Sequence, residues 1–431
     1  MNCVPGLQSP NRRWLTLSCL LVLSACGFSE SESADRRDEP EYDVHYTLTL
    51  NPANASVAVS MRLRQPRNLL REVSFAIDAR ISDVRGDGTV QLEDDRISWR
   101  PPPRGGTLEW NAEVRHLRGD QMYDALLGPD WGVFRAEDVI PRVRSRSIKG
   151  AWSNTTMAFE LPARWSAVTE YSSLDNPIRV RRGERRFDQP TGWIAVGVLG
   201  VRRDTIAGVR VAIAAPEGQG VRRLEMLALL NWTLPELMEI LPDSLSRLTV
   251  VTAGAPMWRG GLSAPSSLFL HADRPLISEN ATSPLLHEVM HAALSVRADD
   301  GYDWIVEGLA EFYSIELLRR GKAISSRRAE RAFAQQAEWA GDAETLCSSA
   351  SKAATTALAV TVFRSLDQQL AAATDNAHSL DSLLPDLMGK QVNLEMLTAM
   401  SNDLAGSVPD ALHIENLPGC RNIVAGNREP N

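Results

Sequence analysis

Apolar side chains recur at every second position through the first half of this chain. Tyr42, Val44, Tyr46, Leu48 and Leu50 alternate with polar residues, and Val57, Val59, Met61 and Leu63 repeat the pattern. Val73, Phe75 and Ile77 follow it, as do Leu108, Trp110, Ala112 and Val114. A period of two puts one face of a strand on a core and the other in water, which excludes an all-helical chain. Turn formers separate the runs: Asn51-Pro52, Gly86-Asp87-Gly88, Pro101-Pro102-Pro103 and Gly105-Gly106. Residues 41–215 are therefore expected to form a β-sandwich.

The period then changes. Leu224, Leu227, Ala228, Leu237 and Ile240 have helical spacing, with Pro235 expected to break or kink that helix. Leu248 to Thr252 and Leu268 to His271 read as short buried strands, and helices are expected over about 283–297 and 304–320. Beyond residue 325 the sequence is rich in Ala and Leu and reads as helical to about residue 405. A chain of 431 residues holds about two or three domains. The expected architecture is α+β and multidomain: the β-rich part at 41–215, a second domain at 216–325, a helical C-terminal part at 326–420 and a tail at 421–431.

Arg12 and Arg13 precede an apolar stretch from Trp14 to Leu23, too short to span a bilayer and fitting a signal peptide. It ends in Leu23-Ser24-Ala25-Cys26, which resembles the lipobox of bacterial lipoproteins. The resemblance implies that residues 1–25 are removed and that Cys26 is acylated, with 26–40 a flexible tether. Gly27 after Cys26 implies the outer membrane, facing the periplasm, rather than the inner. Losing Arg12 and Arg13 and no acid takes the formal charge from −8 to −10. That acidity argues against a general nucleic-acid binder. Of five cysteines, Cys347 and Cys420 are the two not assigned to signal or lipid, and an even pair in an oxidising compartment is expected to form a disulfide. The basic run Arg142, Arg144, Arg146 and Lys149, and another at Arg181, Arg182, Arg185 and Arg186, read first as solvated faces, with anionic lipid contact as the alternative.

The chemistry concentrates in His287-Glu288-Val289-Met290-His291. On a helix, positions i and i+4 share a face, so both imidazoles can bind one metal while Glu288 takes a proton from a metal-bound water. Ser283-Pro284 supplies an N-cap and first-turn proline that support a helix here independently. A catalytic zinc site wants three protein ligands and one open position. Sixteen positions after His291, Glu307 and Glu311 repeat the i, i+4 spacing within Trp304-Ile305-Val306-Glu307-Gly308-Leu309-Ala310-Glu311. One of these carboxylates can bind the metal while the other orients a histidine through its second ring nitrogen.

HExxH followed by Trp-x-x-Glu-Gly-x-Ala is similar to the gluzincin zinc metallopeptidases, and in particular to the glycyl aminopeptidase family and its aminopeptidase-N-type relatives. The resemblance implies a thermolysin-like catalytic domain with one Zn2+ per chain on His287, His291 and Glu307. It implies Glu288 as general base and Glu311 as the orienting carboxylate. Two of the family's substrate-handling elements have no counterpart. Where relatives grip the substrate's free amine with a Glu after a Gly-rich strand, Gly260-Gly261-Leu262 continues into Ser263-Ala264. Where they hold an oxyanion with a Tyr, the matching stretch is Ala350-Ser351-Lys352-Ala353, and no Tyr follows Tyr313. Tyr313, Tyr302, His271 and Arg259 remain as candidate oxyanion donors. The expected function is hydrolysis of a peptide or protein substrate by a membrane-anchored zinc peptidase. The alternative is a catalytically impaired pseudopeptidase serving as an envelope binding or assembly lipoprotein.

Overall fold

A computed structural model describes residues 40–119, 121–171, 177–181 and 186–421. Cys26 and its lipobox, the tether up to residue 39, Arg182, Arg185 and residues 422–431 lie outside the described residues.

The alternating segments form strands whose inward positions are the apolar ones. Strand Glu41–Asn51 buries Tyr42, Val44, Tyr46, Leu48 and Leu50 and exposes or half-exposes the residues between them. It pairs antiparallel with Ser56–Arg64 and parallel with Trp152–Glu160. Those strands belong to a six-stranded sheet, and sheets of four and five strands pack with it around one apolar core. Phe75, Trp99, Trp110 and Phe134 are the large side chains of that core.

A second sheet of five strands is mixed. Val209–Pro216, Arg247–Ala253 and Ser267–His271 run parallel, with Leu199–Ile206 and Gly261–Ala264 as antiparallel edges. The strands at 199–206 and 209–216 thus bond into the sheet of the second half, and the expected boundary at residue 215 falls within a strand of it. Ile206, Val209, Val211 and Ile213 share their core with the helices that follow. Helix Arg223–Ile240 runs through Pro235 without a break. The carbonyl deprived of its donor there is that of Asn231, an exposed residue whose carbonyl water can satisfy.

Helices Pro284–Leu294 and Asp303–Arg320 pack on each other. The second is buried on most of its circumference, lying also against helices Arg223–Ile240, Ser326–Ala340 and Ala353–Ala373. Gly308 allows the approach of Ala353–Ala373: a Cβ there would stand 2.5 Å from that of Ala359. The expected helical run to residue 405 is three long helices, the last Leu394–Ala405, with a loop at 341–352 between the first two and a segment at 374–393 that holds the short helical turns Leu380–Leu383 and Leu384–Leu387 and the strand Gln391–Val392. Cys347 and Cys420 are joined with a Cα separation of 4.9 Å. The architecture is mixed α+β. No helix among the described residues is long and apolar enough to cross a membrane.

Candidate metal and active site

Helix Pro284–Leu294 starts where its sequence says it should. Ser283 Oγ accepts from the Leu286 amide at 3.3 Å, and Pro284 fills a position whose N–H would go unused. Leu285, Leu286, Val289, Met290 and Ala293 face the core. The opposite face carries His287 and His291 into a cleft of about 860 Å³. Ser295, in the left-handed conformation, ends the helix.

Four side chains converge there. His287 Nε2 lies 3.0 Å from His291 Nε2. Glu307, on the neighbouring helix, places Oε2 3.3 Å from His287 Nε2 and Oε1 3.4 Å from His291 Nε2. Glu311, one turn on, accepts from His287 Nδ1 at 3.0 Å. That bond fixes the ring so that Nε2 faces Glu307 and His291. Glu311 is held in turn by Gln336 Nε2 at 3.4 Å and the Ser314 hydroxyl at 3.5 Å. Glu288 is 8% exposed and takes no part in this triangle.

Among the protein groups alone, burial on its own would lower the pKa of His287, but hydrogen bonds to Glu307 and Glu311, and the charge of Glu311, carry it up to about 10. Burial, together with the charge on His287, pushes His291 down to about 4. Burial would raise Glu307, yet the bond from His287 and both imidazole charges hold it below the usual carboxylate range. Burial lifts Glu288 to about 7 against the opposing charge of His287. The cluster is thus one of buried carboxylates organised around a positive charge.

His287, His291 and Glu307 fit zinc. Two imidazole nitrogens and a carboxylate oxygen are a zinc donor set. Their ligand atoms all lie within 4.8 Å of one another. The closest separations, 3.0, 3.3 and 3.4 Å, approach the edge of about 3.3–3.4 Å in a tetrahedron of zinc bonds about 2.0–2.1 Å long. Glu307, not Glu311, completes the triangle.

Two features of the cleft had no local sequence signal. Gly261 passes directly over Glu288, where a Cβ would come within 2.6 Å of its Cγ and Oε1, and the Ser263 side chain lies near enough to the same carboxylate to favour its ionised form. Gln336, which steadies Glu311, sits on a separate helix 25 residues away. The candidate oxyanion donors divide. Tyr313 is fully buried and donates to Asp381 at 2.7 Å. Tyr302 is 6% exposed and, like buried His271, is not among the residues lining the cleft. Arg259 does line it, and no tyrosine does among the described residues.

Fold and cluster together define a chain of aminopeptidase-like fold carrying a candidate metal site. A crystal structure of an aminopeptidase N family protein from Idiomarina loihiensis is similar, with a TM-score of 0.60 over 89% of this chain and 75% of that one, at 13% identity. At that identity the likeness is one of fold. No protein-family model and no curated protein matches the sequence.

Proposed function

We propose that this chain is a zinc-dependent peptidase of thermolysin-like, gluzincin build, held at the bacterial cell envelope by lipid on Cys26, with the periplasmic face of the outer membrane as its site. The observation that carries the reading is the triangle of His287, His291 and Glu307 with a buried Glu288 beside it. When bound, zinc supplies an activated water near neutral pH and polarises a carbonyl. Glu288 is placed to accept a proton from water and deliver it to the departing amine. Glu311 keeps His287 in the tautomer that leaves Nε2 free to ligate. Gly261 and Ser263 hold the Glu288 carboxyl between strand and helix.

Removal and return of metal tests the reading. Dialysis against a chelator should abolish cleavage of a peptide library, and one equivalent of zinc should restore it. Cleavage that persists in metal-free protein would defeat it. The anchor has its own check. Cys26→Ser should move the chain from the membrane to the soluble periplasmic fraction, and a mutant still in membranes would mean that something else holds it.

A second reading is favoured by the absence of tyrosine from the described cleft walls. One missing oxyanion donor costs about 10² to 10³ in rate. A chain so impaired would serve as a zinc-stabilised binding or assembly lipoprotein, full of metal but without hydrolysis.

A further inference from the structure

The cleft around the histidines is unusually rich in one kind of cation. Arg118, Arg142, Arg259, Arg274 and Arg297 line it, in a chain whose formal net charge is −8. They come from distant parts of the sequence. Arg118 ends the strand Arg115–Arg118 and lies over the Trp258 ring at 3.9 Å. Its sheet reaches the cleft because Tyr123 and Trp258 exchange backbone contacts: the Trp258 amide donates to Tyr123 O at 2.9 Å, and the Tyr123 amide to Pro256 O at 3.1 Å. Arg297 follows the motif helix on the other side.

Few of these charges are neutralised from within. Arg118 pairs with Asp124 at 3.3 Å and Arg259 with Asp273 at 3.5 Å, both at exposed positions where water weakens the pairing. Arg142, Arg274 and Arg297 have no carboxylate at ion-pair distance among the described residues. The carboxylates of the cleft walls are committed elsewhere. Glu307 and Glu311 hold the histidines, and Glu288 lies under Gly261. Asp303, the fourth, accepts the Ser351 amide at 2.7 Å. The acids on the described walls lie in the histidine cluster or hold the Ser351 loop, while three of the arginines have no carboxylate at ion-pair distance.

We infer that the cleft selects peptide segments bearing carboxylates, and that Arg142, Arg274 and Arg297 are its specificity determinants. The inference rests on the peptidase reading for the cleavage, though not for the binding. Guanidinium forks match carboxylates with paired N–H donors. A cationic cleft on an acidic molecule also concentrates anionic segments at its mouth. The carboxylates can be Asp and Glu side chains or a chain terminus.

The test uses the wild-type chain, two triple arginine variants and a Glu288→Gln variant. With the full wild-type chain, kcat/KM is measured for a peptide with internal Glu and Asp and an amidated end, its Gln and Asn analogue, and that neutral analogue with a free C-terminal carboxylate. The acidic peptide should exceed the neutral amide by tenfold or more, and the advantage should shrink steadily between about 50 and 500 mM salt. Preference for the third peptide alone assigns the terminus as the source. In the triple variant Arg142→Gln, Arg274→Gln, Arg297→Gln the ratio should fall toward one, chiefly through a higher KM, and lysine at the same positions should restore much of it. With Glu288→Gln protein, Kd values for the labelled peptides report binding without turnover. If nothing is cleaved but the acidic peptide binds tenfold more tightly, the inference stands and the peptidase reading fails. Equal Kd values for acidic and neutral peptides overturn the inference, whatever is cleaved. So does binding to vesicles of anionic lipid that acidic peptides cannot displace.

Discussion

Gly261 shows how closely Glu288, the proposed general base, is confined. The space a methyl group would take there is filled by the Cγ and Oε1 of Glu288, 2.6 Å from an ideal Cβ. The backbone angle at Gly261 is an ordinary one, so its requirement for glycine is one of room. Gly261→Ala should therefore fold and keep its zinc, because the atoms a methyl group there would meet belong to Glu288 and to none of the three ligands. Displacing the carboxyl by a fraction of an ångström to an ångström should lower kcat by roughly 10 to 10². Metal analysis beside steady-state kinetics checks this, and an unchanged kcat would show that Glu288 is not confined as described. At this scale much of the site was legible in the sequence. His287, Glu288 and His291 are neighbours on one helical turn, and Glu307 with Glu311 repeats that spacing close by, so local periodicity carries their geometry. Gln336, Arg118 and the cleft position of Arg142 were not legible. They reach the site through tertiary packing, which leaves no mark in local spacing. Arg142 read as part of a solvated basic run, and its place in the cleft depends on how its sheet docks.

Elements show the same division. The strand Glu41–Asn51 follows its alternation closely, because one of its faces meets the core and the other is more exposed. Strands Leu199–Ile206 and Val209–Pro216 are strands as the period suggests, yet their partners were not foreseeable from it. A period of two says that a strand has a buried face and leaves open which sheet receives it. Of the break or kink expected at Pro235 the break does not occur, because the freed carbonyl belongs to an exposed residue and the apolar face, Leu230, Leu234 and Leu237, remains buried on both sides of the proline. Among the loops, the one carrying Ser351 is fastened by the Asp303 carboxylate, by Leu346 N to Pro418 O at 2.8 Å, and by the Cys347–Cys420 bond. That bond closes a loop of 73 positions, for which chain entropy gives roughly 4 kcal/mol. Cys347→Ser with Cys420→Ser should lower the denaturation free energy by about 2–4 kcal/mol in a denaturant titration. A variant with an unchanged midpoint and slope would show that the bond does not constrain the unfolded chain.

For the whole molecule, the β-rich part does more than precede the region that carries the candidate metal site. Val133, Val168, Trp193 and Ala195 form a shared small core with Ala214, Val251 and Phe269 of the mixed sheet, and Trp193 Nε1 donates to Leu262 O at 2.8 Å, at the strand that borders the cleft. The cleft is therefore built by both halves of the chain, one supplying the two metal-facing helices and the other part of the rim. Such an arrangement fits a substrate-binding site better than a metal site that serves stability alone, which would need no open wall. The central claim is that the metal site performs hydrolysis with Glu288 as its base. Its most direct measurement pairs zinc content with peptide cleavage in Glu288→Gln and His291→Ala. Because Glu288 stands outside the ligand triangle, Glu288→Gln should keep close to one zinc per chain while its cleavage rate falls by roughly 10² or more, and His291→Ala should lose both. Cleavage by Glu288→Gln at the wild-type rate, with His291→Ala alone defective, would make the metal structural and contradict the account.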